Sequence, residues 1–93
     1  MNEKTIQNKV LQKVIQERGK QNQKWGQQNH KDAIWLVILT EEVGETSQAI
    51  LHDIFGGHAS GNVEEELIQV AAVAIQWLEC IQRKKISWEV ENR

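Results

Sequence analysis

Apolar positions recur with helical spacing along almost the whole chain. Ile6, Val10 and Val14 form one stripe, with Leu11 and Ile15 beside it and charged or amide residues opposite. This spacing predicts an amphipathic helix over 3–19, with Gly19 as its stop signal. Residues 20–31 are polar and amide-rich and predict a loop that carries one tryptophan, Trp25. Asp32 reads as the N-cap of a second helix from Ala33 to Ile54 or Phe55, closed by Gly56-Gly57. Ala33 to Leu39 is apolar around much of its circumference, which predicts burial on several sides. Residues 56–61 form a short connection. Asn62 then caps a third helix that runs to about Arg83 or Lys85, its basic end suited to the helix dipole. Ile86 to Arg93 would add a short amphipathic C-terminal helix, docking Ile86, Trp88 and Val90. No useful strand alternation and no internal repeat interrupt this pattern. The expectation is an all-α helical bundle of three main helices plus that short segment, in a single domain spanning 1–93.

One part of the pattern is awkward. At about 100° per residue, Ile34, Ile38, Glu41, Glu45, Gln48 and His52 share a stripe, so carboxylates continue a line begun by isoleucines. Glu66 sits in a second such stripe, with Val63, Val70, Val73, Trp77 and Ile81. Glu64 and Glu65 are accounted for by the positive end of the third helix; Glu66 points towards packed surface. Carboxylates turned inward are costly unless a cation or hydrogen bonds compensate them.

Composition narrows the classes. A monomer of 93 residues buries only about 60–65% of its unfolded surface. With so apolar a second helix, a core completed by oligomerisation is expected. Hydrophobic content of 40% and charged content of 26% fit a soluble globular protein. A net charge of −2 argues against binding a nucleic acid polymer. The single cysteine, Cys80, cannot form an intramolecular disulfide, and it reads as a small core residue. No run resembles a signal peptide or a membrane span, so a cytoplasmic location and no membrane partner are expected. The three histidines and Cys80 match no compact zinc spacing.

Glu41, Glu42 and Glu45 lie on adjacent turns of one helix, and Glu66 could meet them across a helix pair. Oxygen-only ligands suit Mg²⁺, with Mn²⁺ as a substitute, better than Zn²⁺. The matching chemistry is attack on a phosphoanhydride or a related phosphoryl transfer. Trp25 either covers core surface or offers a face to a planar base. His30 carries the same ambiguity. Lys20, Lys24, Arg83, Lys84 and Lys85 are either phosphate contacts or solvated charge.

Glu41-Glu42-x-x-Glu45, followed by Glu66-Leu67-Ile68-Gln69, resembles the EExxE and ExxD motifs of the MazG-like all-α nucleoside triphosphate pyrophosphohydrolases. Glu17-Arg18, Gln23-Lys24-Trp25-Gly26-Gln27 and His30 resemble the segment that precedes EExxE in that family. The likeness covers roughly residues 15–82. It implies Mg²⁺-dependent cleavage of (d)NTP to (d)NMP and pyrophosphate, in a house-cleaning role, by a homodimer or homotetramer. By position it gives Glu41, Glu42, Glu45 and Glu66 the catalytic and metal-binding roles, and Lys24, Trp25 and His30 contact with substrate. Gln69 takes the last metal position, where the family has Asp. An amide offers an oxygen but no charge. A weak nucleotide-binding or regulatory module, or a helical oligomerisation domain, are therefore the competing expectations.

Overall fold

The structure is a computed structural model and describes residues 2–57 and 62–93. These residues form three helices, α1 (Glu3–Trp25), α2 (Asp32–Phe55) and α3 (Val63–Glu91), with no strand among them. The expected all-α, three-helix architecture is present. Most of the 56–61 connection lies outside the described residues.

α3 is the spine. α1 packs on it and α2 packs on it, while α1 and α2 do not meet. The Lys13–Glu64 and Arg18–Glu79 ion pairs tie α1 to α3 in parallel. On the other side α2 runs antiparallel: Asp32, at its start, accepts a 2.9 Å hydrogen bond from Trp77 Nε1, and the later Glu42 and Glu45 lie against Glu66. The 26–31 connection therefore straddles α3. Arg83 Nη2 donates to the Gln28 carbonyl at 3.0 Å, and Lys84 Nζ donates to the His30 carbonyl at 2.9 Å. The result is a flat layer measuring 56 × 34 × 21 Å. Its radius of gyration is 16.0 Å, against ~12 Å for a compact chain of this length.

The core is small for the same reason. Trp35, Val73 and Cys80 are its buried members, with Ile38, Leu39 and Trp77 packed against them. The Cys80 thiol donates to the His30 carbonyl at 3.7 Å, as a core residue would. Burying the Trp35 ring contributes on the order of 4–6 kcal/mol. On α1, only Val14 of the expected apolar stripe is buried; Ile6, Val10, Leu11 and Ile15 are exposed.

Three boundaries differ from the sequence reading. α1 does not stop at Gly19 but continues to Trp25, so the loop shrinks to 26–31. A helical glycine costs only about 1 kcal/mol. Arg18 offsets this by bridging the glycine, bonding Gln21 and Asn22 one turn on and Glu79 on α3. The stop comes at Gly26, whose φ of 70° suits a residue without Cβ. The N-cap of α2 is Lys31, with Asp32 the first helical residue. No separate C-terminal helix forms either: nothing in 84–91 breaks a helix, and α3 runs through to Glu91. Ile86, Trp88 and Val90 are exposed rather than docked. The Asn62 cap is as expected, its Oδ1 accepting from Glu65 N–H at 2.9 Å.

Candidate functional site

Where α2 crosses the start of α3, Glu42, Glu45 and Glu66 each bring a carboxylate oxygen to within 4.8 Å of the other two. Glu66 is only 3% exposed, and Glu42 is half-buried. The packing of α2 accounts for this. Trp35 is fully buried against α3, and two turns on from it stands Glu42, followed after two more by the buried Ala49. The buried stripe of α2 is thus rotated by one residue from the Ile34–Ile38–Glu41 line. Ile34 and Glu41 face outward, so Glu42 rather than Glu41 joins Glu45 and Glu66.

Like charges at this spacing repel by roughly 3 kcal/mol per pair at an effective dielectric constant near 20. The Glu42 carboxyl responds by holding its proton. Its pKa rises from 4.5 to about 7, first through burial, then through the charges of Glu45 and Glu66, a hydrogen bond shared with Glu45, and the charge of Glu41. When both carboxyls are ionised neither can donate, and the buried Glu42 Oε2 has no hydrogen-bond partner among the described residues. A proton closes that gap, and so would a cation.

Gln69 lines a different space. With Lys13, Gln16, Glu17, Lys20, Glu65 and Ile68 it walls a cavity of about 330 Å³ between α1 and α3. Lys20, one of the candidate phosphate contacts, stands in this cavity.

The expected substrate residues are scattered. Trp25 is 61% exposed at the end of α1, with the Lys24 ammonium 4.9 Å from its ring centroid. Most of its surface is open to solvent. His30 is half-buried, its ring edge-on to Trp35 at 4.9 Å, and its carbonyl receives both Cys80 and Lys84. Cys80 lies fourteen residues beyond Glu66 on α3, about 21 Å along the axis, so His30 sits far from the acidic cluster. Arg83 and Lys84 hold the connection in place.

Sequence reasoning overlooked the role of Arg18, which is buried and bonded to Glu79. Its partner is 61 residues away, and no local pattern announces it. No helix among the described residues is long and apolar enough to cross a membrane. No family model matches the chain, and comparison with curated proteins and with solved structures likewise returned no match.

Proposed function

We propose that the chain is a Mg²⁺-dependent nucleoside triphosphate pyrophosphohydrolase that cleaves (d)NTP to (d)NMP and pyrophosphate, as the EExxE-type resemblance implies. The observation that carries this reading is the convergence of Glu42, Glu45 and Glu66 from two helices. The donor set fits a hard cation: it is all oxygen, Glu42 Oε2 is buried without a hydrogen-bond partner among the described residues, and it is strained by its own charge. Glu42, Glu45 and Glu66 would hold the ion, Mg²⁺ or Mn²⁺, whereas Gln69 lines the α1–α3 cavity. Bound there, the ion would polarise the phosphoanhydride and acidify a coordinated water. Glu41 stands beside the cluster and outside it, where it can orient the water or accept its proton. Lys13 and Lys20 share the α1–α3 cavity with Gln69; Lys13 is paired with Glu64, and Lys20 is suited to a phosphate oxygen.

The same reading includes a homodimer or homotetramer. Its support is the flat layer, which leaves Leu36, Val37, Leu67 and Leu78 exposed. So many exposed large apolar side chains on a small chain suit a partner surface.

The deciding experiment is a panel of canonical and modified (d)NTPs assayed for pyrophosphate release with Mg²⁺ and with Mn²⁺. Turnover with at least one of them is expected, and Glu45→Gln or Glu66→Gln should abolish it while leaving the helical circular dichroism intact. Absence of turnover across the panel with both ions refutes the enzyme reading. A weaker nucleotide-binding module is the second reading, favoured by Gln69, which brings no charge and lines a cavity towards α1. Under it, nucleotide with Mg²⁺ raises Tm without being consumed, and Gln69→Asp increases turnover.

A further inference from the structure

The two helices that cross at the acidic cluster share a second feature. Along α2 the inward line passes through Trp35, Glu42 and Ala49, and along α3 the residues against it are Glu66, Val73 and Cys80. The residue that follows each of these is apolar: Leu36, Val43 and Ile50 on α2, Leu67, Ala74 and Ile81 on α3. One residue is a rotation of about 100°, so each helix carries a second stripe beside the first. Thr40, Ser47 and Ile54 complete the stripe of α2, and Ala71 and Leu78 that of α3. Both keep the alternating three- and four-residue spacing of a helix–helix seam.

α2 and α3 run antiparallel. A two-fold axis normal to the plane of such a pair carries the stripe of one helix onto that of the other, so both stripes lie on one side of the pair. The residue three beyond each inward position turns about 60° the opposite way. There stand Glu45, His52, Gln69, Gln76 and Arg83. Glu45 of the acidic cluster, and the amide-lined cavity walled by Gln76 and Arg83, belong to this polar side.

The apolar side is open. Leu36, Val43, Ile50, Ile54, Leu67 and Leu78 are between 43% and 64% exposed, and Leu67 and Ala71, at its edge, border Val10 and Val14 of α1. No charged residue stands in either stripe. Its two hydroxyl groups are already bonded within α2: Thr40 Oγ1 donates to the Leu36 carbonyl at 2.7 Å, and Ser47 Oγ to the Val43 carbonyl at 3.3 Å. They can be covered without stranding a donor.

We propose that this side is a homodimer face, on which the α2–α3 pair of a second copy packs to form a four-helix bundle, with α1 outside and the polar side open. Self-complementarity selects a second copy. Thr40, Ser47, Ala71 and Ala74 are small and alternate with large neighbours, so a two-fold axis that turns the face onto itself supplies knobs and holes together. The area is sufficient. The stripes are about 27 Å and 21 Å long on helices about 10 Å wide. Each copy then offers about 500 Å², and the pair about 1,000 Å², the size from which a specific interface is expected. The proposal rests on the oligomer included in the function proposed above and adds the face that makes it; it requires neither metal nor nucleotide.

The test is the mass of the full chain by light scattering and analytical ultracentrifugation, over a dilution series in EDTA. The wild type should assemble as two chains or a multiple of two. Leu36→Lys and Leu78→Glu, both at exposed positions in the stripes, should each raise the dissociation constant at least tenfold. Val37→Lys, one residue off the stripe, and Ile15→Glu, on α1, are equally exposed and should leave it unchanged. Hydroxyl-radical footprinting reads the same face without a substitution, so loss of folding in a variant cannot mimic the result. In the assembled wild type, Leu36, Ile54 and Leu78 should be oxidised several-fold less than Ile15 and Val37. A wild type that stays a single chain at high micromolar concentration overturns the proposal. So does an assembly that Leu36→Lys and Leu78→Glu leave intact, or one whose protected residues are Ile15 and Val37. Assembly through this face without pyrophosphate release would sink the enzyme reading alone; pyrophosphate release by a single chain would sink the dimer face alone.

Discussion

Glu42 makes folding stability depend on pH in a direction opposite to that of most carboxylates. Its pKa is 4.5 when free and about 7 in the fold. Between these values the folded chain binds more protons than the unfolded chain, so stability falls as pH rises. The contribution is intact below about pH 4.5 and lost by about pH 7. For a fully desolvated group the two pKa values correspond to about 3 kcal/mol. Glu42 is only half-buried, and solvent screening at least halves the effect, leaving about 1–2 kcal/mol. For a chain of this size, that is a fall in Tm of roughly 5–15 °C.

The assay is thermal unfolding followed by circular dichroism between pH 4.5 and 8, at constant ionic strength and with EDTA. The wild type should lose stability across this range, and Glu42→Gln should flatten the loss and exceed the wild type at pH 8. Comparing the two proteins cancels every titration they have in common. Glu45 and Glu66 are among the causes of the Glu42 shift, so the difference belongs to the cluster rather than to Glu42 alone. Adding Mg²⁺ at pH 8 should raise the Tm of the wild type more than that of Glu42→Gln. Parallel Tm–pH curves for the two proteins would refute the argument that these carboxyls repel one another in the fold.

Four further outcomes can be checked separately. Glu45→Gln should weaken Mn²⁺ binding, read by paramagnetic broadening or calorimetry, at least tenfold; unchanged affinity would place the ion elsewhere. Gly19→Ala should raise stability by about 0.5–1 kcal/mol in urea unfolding, because the position is helical and a Cβ there meets nothing within 4 Å. Glu79→Ala leaves the buried Arg18 without its counter-ion and should cost about 1–3 kcal/mol, much of it recovered in Arg18→Met/Glu79→Ala. Leu78→Lys, on an exposed apolar position, should shift the mass measured by light scattering towards the monomer while leaving the helical signal unchanged.

The fold was legible wherever a local signal decided the outcome. Asn62 and Gly56 mark real helix ends, because a side-chain oxygen and a residue without Cβ satisfy the orphan backbone groups there. Gly19 misled because its small helical cost is outweighed by Arg18, whose strongest partner is remote in sequence. At the site, Glu45 and Glu66 were legible from their apolar neighbours. The choice between Glu41 and Glu42 turned on a single rotation of α2, which Trp35 sets by being the largest side chain in the core. The sequence reading named both, and counting from Trp35 instead of from Ile34 separates them. Trp25 and His30 were read as one loop, yet the helix claims the first and the core holds the second.

The flat layer gives these pieces one geometry. α3 presents one side to α2, where the acidic cluster forms, and another to α1, where the ion pairs lie. The connection covers a third, holding Arg83 and Lys84 and enclosing the amide-lined cavity. Leu67 and Leu78, eleven residues and about three turns apart, are both exposed, Leu67 at the edge of the α1 side beside Val10 and Val14. A second copy packing on the leucines would leave the polar cavity uncovered, and it would supply the burial that a layer with so small a core lacks. Assembly would then stabilise the crossing of α2 and α3. The carboxylates sit at that crossing, and their mutual repulsion is what the added packing would have to outweigh.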